Sequence, residues 1–250
     1  MAGTTSSVSN RETHRLDETG TSPVETLPEC GPAHGIDSRE IYRKLLHGLP
    51  ATFPFIFHYL TFIHHPDPID EISLMILGPL MIVIAVAFLT LFKFVRRPGE
   101  SNFVSTVISY PAAIFLTLLI FPGNSEFAAV VVVVLALGDS AACFCGQLFG
   151  QQKLPWNQEK SWMGTICFVL VSTPVATAAF YLEANNPTVS WGDAAICAFT
   201  ASIMAAIAES LRMKVTDNLR VGIAAAIGVS LSATILGIMH QEVSLFRFLN

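Results

Sequence analysis

Charged residues are scarce in this sequence of 250 residues. Only 13% of the residues are Asp, Glu, Lys or Arg, whereas 52% are hydrophobic and the mean hydropathy is +0.55. Soluble domains carry about 25% charged residues, so the composition excludes an ordinary soluble domain. Basic residues are fewer than acidic residues, 14 against 19. The chain therefore has no overall positive charge to attract the phosphate backbone of a nucleic acid. We therefore expect a polytopic membrane protein with no nucleic-acid partner.

Cysteine is also rare, and large apolar residues are nearly absent from the amino-terminal region. The five cysteines include no C-x-x-C pair, and four of them lie in apolar segments, so neither a disulfide framework nor a zinc site is indicated.

Residues 1–38 are rich in Ser, Thr, Glu, Gly and Pro and cannot bury enough apolar surface to offset the entropy of ordering. We predict a disordered cytoplasmic tail at 1–38 and one membrane domain at 39–250.

Seven apolar windows follow the tail. Most approach the roughly 20 residues that a helix needs to cross a bilayer, and in lipid the backbone polar groups of each segment must be satisfied within it. The sequence therefore predicts an all-α helical bundle of about seven transmembrane helices. The windows are 48–63, 72–92, 103–121, 126–150, 162–182, 192–209 and 220–239, with kinks expected at Pro50, Pro54, Pro79, Pro111 and Pro174.

The distribution of lysine and arginine predicts the orientation. If the amino terminus is cytoplasmic, every lysine and arginine except Arg247 lies on the inner side, and the outer loops at 64–71, 122–125 and 183–191 contain none. This asymmetry follows the positive-inside rule. We expect an integral multi-pass protein whose polar site lies on the cytoplasmic side.

The fourth window contains an acid, Asp139, roughly 16 Å of helix from its inner end. A carboxylate inside a membrane segment is a functional hypothesis by default. At helical spacing, Cys143, Gly146 and Gly150 lie on the same stripe as Asp139. The stripe predicts either a groove beneath an acid or a helix-packing face with a buried, paired Asp, since small residues at this interval also serve packing, including packing in a homodimer.

Other polar residues converge on the same side of the predicted bundle. The loop after the fourth window contains two lysines, a hydroxyl and a glycine, which are groups that bind phosphates or allow close approach to them. Acids that can hold a divalent cation beside such lysines are suited to phosphoryl transfer from a nucleotide, although the sequence has no Walker or protein-kinase motif. The residues are Arg43, Lys44, His47, Lys153, Lys160, Ser161, Gly164, Glu209, Asp217 and Asn218.

In their order along the chain, these residues resemble the motifs of the CTP-dependent polyprenol kinase family, which includes dolichol kinase, phytol kinase and CTP-dependent diacylglycerol kinase. The run Gly138-Asp139-Ser140-Ala141-Ala142, with the glycines and lysines that follow it to Gly164, is similar to that family's nucleotide-binding signature. Arg43-Lys44-x-x-His47 resembles its amino-terminal motif, and Glu209 with Asp217-Asn218 resembles its later acidic motif. The similarity extends from about residue 39 to residue 240.

The resemblance implies a membrane enzyme that transfers the terminal phosphate of CTP, with Mg²⁺, to the hydroxyl of a lipid alcohol. It implies Asp139 and Asp217 as catalytic residues and Asp139, Glu209 and Asp217 as metal ligands. It also implies a nucleotide site formed by Arg43, Lys44, His47, Gly146, Gly150, Lys153, Lys160, Ser161, Gly164 and Asn218.

The chain departs from the family pattern at Met163, where the family commonly has Glu, and this substitution bears on nucleotide preference and rate. Two alternative functions stay open from the sequence. One is CDP-lipid synthesis like that of phosphatidate cytidylyltransferases, which the same resemblance reaches. The other is a non-catalytic transporter or scaffold that uses Asp139 as an ion site.

Overall fold

The structure is a computed structural model that describes residues 38–59, 71–94, 103–184, 188–213 and 216–239. The predicted tail lies outside the described residues apart from Ser38, and so does Arg247. The described part is mainly α-helical. Its helices are α1 (Ser38–Gly48), α2 (Phe53–Tyr59), α3 (Glu71–Lys93), α4 (Phe103–Ile120), α5 (Ser125–Val133), α6 (Asp139–Phe149), α7 (Trp162–Glu183), α8 (Trp191–Ser210) and α9 (Asp217–Leu236).

Within the described residues, five helical segments are long and apolar enough to cross a membrane. A sixth apolar helix, Val104–Ile120, is shorter. The described residues therefore support a helical bundle of the membrane type. They contain five candidate spans, and the predicted count of about seven is not confirmed. The five are Met75–Lys93, Ser125–Phe149, Trp162–Glu183, Trp191–Ser210 and Asp217–Leu236.

The first predicted window, 48–63, does not form one continuous helix in its described part. Helix α1 ends at Gly48, a 3₁₀ turn covers Leu49–Thr52, and α2 follows immediately. Pro50 and Pro54 lie in the first turns of these two short elements. Proline has no backbone N–H and is best tolerated in a first turn, which explains why the chain is divided here. By contrast, Pro79, Pro111 and Pro174 lie inside the long helices.

The centre of the bundle is a continuous rod made of α5, a π-helical segment at Val134–Gly138, and α6. Two thirds of its most apolar window is buried, compared with 6% for α3. Helices α4, α7 and α9 surround α5, α8 packs between α7 and α9, and α3 packs mainly on the outside of α4, with Phe92 near its end also contacting His47 of α1. The π segment was not predicted; such segments occur often at functional sites, and this one ends immediately before Asp139.

A small antiparallel hairpin departs from the predicted all-α fold. Strands β1 (Lys153–Leu154) and β2 (Asn157–Ser161) pair so that Lys153 lies opposite Ser161. The sequence predicted only a loop here, because two short polar strands give no periodic apolar signal. The hairpin connects α6 directly to the first turn of α7 and thereby fixes the positions of Lys160 and Ser161.

Candidate functional site

Asp139 lies in an ion pair with α1. Lys44 Nζ donates a hydrogen bond to Asp139 Oδ2 at 2.6 Å. The side chain of Asp139 is 29% exposed, whereas that of Lys44 is 8% exposed. Ser140 Oγ, the next residue along α6, donates to the backbone carbonyl of Lys44 at 3.1 Å. These contacts hold the end of α1 against the start of α6, and the carboxylate is the more accessible member of the pair.

His47 is the second residue of α1 that faces Asp139. Its Nε2 lies 3.5 Å from Asp139 Oδ2 and has no hydrogen-bond partner among the described residues, although it is buried. Its ring packs edge-on against Tyr110 and Phe92, with centroids 5.1 and 6.4 Å apart. A buried polar atom without a partner is costly, so Nε2 is well placed to contact a bound substrate or ligand.

Burial and nearby charges determine the protonation states of Lys44 and His47. Both residues lie on α1, which precedes the first candidate span. Burial lowers the pKa of His47 to about 4, in spite of the nearby Asp139 carboxylate. For Lys44, burial acts against the charged form, but the Asp139 carboxylate outweighs it and the pKa of Lys44 is raised. At neutral pH the arrangement is therefore a cationic Lys44 beside a neutral His47.

A second acid–lysine pair lies within electrostatic range of the first. Lys160 Nζ on β2 donates to Glu209 Oε1 at the end of α8, at 3.0 Å, and the Glu209 side chain is only 8% exposed. The charge of Lys160 acts on Asp139, and the charge of Asp139 acts on Glu209. The fold therefore brings together Lys44, Asp139, Lys160 and Glu209 from four separate elements.

The hairpin is fastened to the end of α8 by hydrogen bonds. Asn157 Nδ2 donates to the carbonyl of Ser210 at 3.1 Å, and Trp156 Nε1 donates to Ser210 Oγ at 3.2 Å. Arg212 donates to Asn157 Oδ1 at 3.1 Å and pairs with Glu159 at 2.9 Å. These contacts hold Lys160 next to Glu209. Motif reading did not predict this role for Trp156, Asn157, Ser210 or Arg212, because their partners are distant along the chain.

The glycines of the predicted stripe face α7. A Cβ added at Gly146 would lie 3.2 Å from Ser161 Oγ, and one added at Gly164 would lie 2.9 Å from the carbonyl oxygen of Ala142. A Cβ at Gly150 would clash first with the carbonyl oxygen of Gly146 in α6 and would lie 2.6 Å from Ser161 Oγ. Ser161 is itself the N-cap of α7, and its Oγ accepts a hydrogen bond from the Gly164 N–H at 3.1 Å. Of the two interpretations of the stripe, close helix packing explains these glycines directly.

We expect Gly164→Ala to destabilise the protein by about 1–3 kcal/mol even without nucleotide, because its Cβ meets backbone that cannot move alone. Thermal unfolding in detergent measures the effect. The matched control is Gly192→Ala at the exposed start of α8, where the nearest atom is Ser190 Oγ at 3.6 Å. An unchanged melting temperature for Gly164→Ala, with nucleotide affinity lost, would instead assign the glycine to phosphate binding.

The remaining predicted residues lie around the two pairs. Arg43 is close enough for its charge to act on Lys44 and His47. Asp217 begins α9 and pairs with Arg220 at 2.7 Å. Asn218 Nδ2 donates to the carbonyl of Thr106 on α4 at 2.8 Å, one helical turn before the tyrosine that contacts His47. The structure therefore places the start of α9 against α4, the helix whose Tyr110 contacts His47. Asp217 itself forms its ion pair with Arg220 of the same helix.

Lys153 on β1 and Met163 in the first turn of α7 are both exposed. Among the described residues, no group of three or more His, Cys, Asp and Glu side chains is arranged to hold a metal ion. A metal held jointly by one carboxylate and nucleotide phosphates needs no such group. Asp139, the more exposed acid of the two pairs, fits that role better than the buried Glu209.

Curated proteins similar to this chain are plant kinases of isoprenoid alcohols. The chain is 25% identical over 147 residues to "Phytol kinase 1, chloroplastic" of Arabidopsis thaliana, which covers 57% of the chain and 48% of that protein. It is 29% identical over 135 residues to "Farnesol kinase, chloroplastic" of the same plant, covering 53% and 44%. It is also 29% identical over 141 residues to "Probable phytol kinase 1, chloroplastic" of Oryza sativa subsp. japonica, covering 54% and 44%.

The chain thus spans about half the length of the curated relatives that it matches. No family model and no solved structure matches it. The resemblance to the CTP-dependent polyprenol kinase family, which the motifs indicated, is confirmed by these relatives at modest identity.

Proposed function

We propose that the protein is a membrane-embedded kinase that phosphorylates the hydroxyl of an isoprenoid alcohol, with CTP as the phosphate donor. The observation that carries this proposal is the convergence of Asp139, Lys44, His47, Lys160 and Glu209 at one place in the bundle. The similarity to phytol and farnesol kinases supports the substrate class. The motif resemblance supports CTP as the donor, and the distribution of lysine and arginine supports the cytoplasmic location of the site.

The nucleotide binds, in this proposal, beside the hairpin and the start of α7. Lys160 and the exposed Lys153 supply positive charge for its phosphates. The hydrogen bonds from the hairpin to Ser210 hold Lys160 in place before the nucleotide arrives. A preorganised cation stabilises charge that develops on a transferred phosphoryl group without having to reorganise during the reaction.

Magnesium is the metal that the proposal requires, and it neutralises phosphate charge when it is bound with the nucleotide. Asp139 is the carboxylate that would hold it. The chemistry of the protein itself is mainly positioning, because phosphoryl transfer needs little covalent assistance. Lys44 fixes the orientation of the Asp139 carboxylate through the 2.6 Å hydrogen bond.

The acceptor hydroxyl is placed at the Asp139–His47 pair. His47 Nε2 is buried, neutral and without a hydrogen-bond partner among the described residues. It can therefore accept the hydroxyl proton as the alcohol oxygen bonds to the γ-phosphorus of CTP, while the bond from that phosphorus to the bridging β-phosphate oxygen breaks and CDP leaves. Asp139 Oδ2 lies 3.5 Å from His47 Nε2 and holds the resulting imidazolium by charge. Asp217, the other carboxylate that the motifs indicated, stays a candidate for metal binding at the edge of the site.

The test is to incubate the purified full chain in detergent with phytol or farnesol, Mg²⁺ and CTP labelled at either the γ- or the α-phosphate. We expect γ-label in the lipid phase that depends on the alcohol. Incorporation of α-label with phosphatidate would instead identify a cytidylyltransferase. If neither label enters lipid and ATP is also inactive, the kinase proposal fails and a non-catalytic role is favoured.

A further inference from the structure

A cleft lies beside the candidate site, between the 3₁₀ turn and α2 on one side and the rod and α7 on the other. Its volume is about 530 Å³, within the range of roughly 300–1,000 Å³ that is typical of small-molecule sites. Its walls are apolar and include Ala51, Phe55, Ile56, Leu137 and Val175. A ligand that occupies it must therefore be apolar along most of its length.

The threonine hydroxyl in the lining of the cleft is already engaged in a hydrogen bond. Thr52, which lines the cleft, donates its hydroxyl hydrogen to the carbonyl of Leu49 at 2.8 Å. Gly48 and Leu137 also line it. Gly48 directly follows His47, and Leu137 is two residues before Asp139. A molecule in the cleft thus meets apolar walls along its length, and the end formed by Gly48 and Leu137 adjoins the chain segments that carry His47 and Asp139.

The backbone conformation at Gly48 does not require glycine. Its φ of −75° and ψ of −22° are ordinary right-handed values, and an added Cβ would meet nothing closer than Ser140 Oγ at 3.8 Å. Any small residue fits this position without strain. What glycine adds is space at this end of the cleft, next to His47 in the chain.

We infer that this cleft holds the hydrocarbon chain of the acceptor alcohol, with its hydroxyl at Gly48 facing the Asp139–His47 pair. The inference rests on the proposed kinase function and specifies where the acceptor binds. A long, uncharged chain matches the apolar walls, and its terminal hydroxyl would lie at the Gly48 end, next to His47 in the chain. The cleft is open along one flank, between exposed side chains of α2 such as Ile56 and Tyr59, so a chain longer than the cleft extends into the bilayer.

Two substitutions test the two parts of the cleft separately. In Val175→Trp the larger side chain projects from the wall into the cleft and removes space for the hydrocarbon chain of the alcohol. A short alcohol still reaches the Gly48 end. We expect the KM for phytol to rise about tenfold, which corresponds to the lost burial of about two methylene groups, and kcat/KM for a five-carbon prenyl alcohol to fall much less than kcat/KM for phytol. Gly48→Val narrows the polar end, so long and short alcohols should lose kcat/KM equally.

Val171→Trp is the matched control, one turn earlier on α7, exposed and outside the cleft. It should leave the chain-length preference of the wild type unchanged. If Val175→Trp and Val171→Trp give the same chain-length profile, or if Val175→Trp reduces activity on short and long alcohols alike, the cleft does not hold the chain.

A binding readout separates this inference from the kinase proposal. A phytol analogue with a diazirine on its chain is photolysed with the wild-type protein, and the labelled peptides are mapped by mass spectrometry. We expect label on α2 and on the segments around Leu137 and Val175, competed by unlabelled phytol and absent in Val175→Trp. Label confined to other surfaces overturns the inference even if the enzyme is active. Competed label at the cleft in an inactive wild-type protein supports binding there and rejects the kinase.

Discussion

Replacing Asp139 by asparagine is expected to lower alcohol kinase activity by about a hundred- to ten-thousandfold, the range that general acid–base catalysis contributes, because proton transfer to His47 depends on the charge of Asp139. The amide is a weaker, uncharged metal ligand, it has no charge to stabilise protonated His47, and it loses the charge that pairs with Lys44 at 2.6 Å. The measurement is the initial rate of γ-label transfer from CTP to phytol at saturating substrates. The size of the effect distinguishes a site residue from a purely packing residue.

Stability has to be separated from activity in this experiment. Asp139→Asn leaves Lys44 buried without its counter-charge, which costs up to about 3 kcal/mol. The double variant Lys44→Gln/Asp139→Asn restores charge balance, so it should unfold near the wild-type temperature and still be inactive. Asp193→Asn, at the start of α8 where it contacts Ser190, is the control acid. Wild-type turnover in the charge-balanced double variant would remove Asp139 from the site.

Lys160→Ala should raise the KM for the nucleotide about ten- to hundredfold, with a smaller change in the KM for the alcohol. A charge-assisted hydrogen bond to phosphate contributes about 1.5–3 kcal/mol, and each 1.4 kcal/mol is a factor of ten. The same change leaves the buried Glu209 without its partner. Nucleotide titrations at fixed phytol, with melting temperatures for each variant, measure both consequences.

Two further variants separate these consequences. Lys160→Met/Glu209→Gln removes both charges and should recover stability without recovering nucleotide affinity. Lys93→Ala changes an exposed lysine at the end of α3 and should affect neither. A normal nucleotide KM in the charge-balanced double variant would show that Lys160 only pairs with Glu209 and does not bind phosphate.

The sequence predicted the long apolar helices because each is a nearly continuous apolar run whose backbone must be satisfied internally. It predicted kinks at Pro50 and Pro54 but not the division of this window into separate short helices at 49–53. It also did not predict the hairpin, whose strands have two and five residues. The motifs identified Lys44, Asp139, Lys160 and Glu209. Their pairing could not be read from the motifs, because the partners are 95 and 49 residues apart and only the packed bundle brings them together.

The order of the two ion pairs along the chain has a consequence for biosynthesis. Lys44 precedes Asp139, and Lys160 precedes Glu209. A ribosome therefore completes each lysine before the acid that it neutralises. When the helix bearing Asp139 leaves the translocation machinery, its counter-ion has already been made, and the same holds for Glu209. An acid in a lipid-facing helix is costly only while it has no partner, so this order shortens that interval during insertion of the nascent chain.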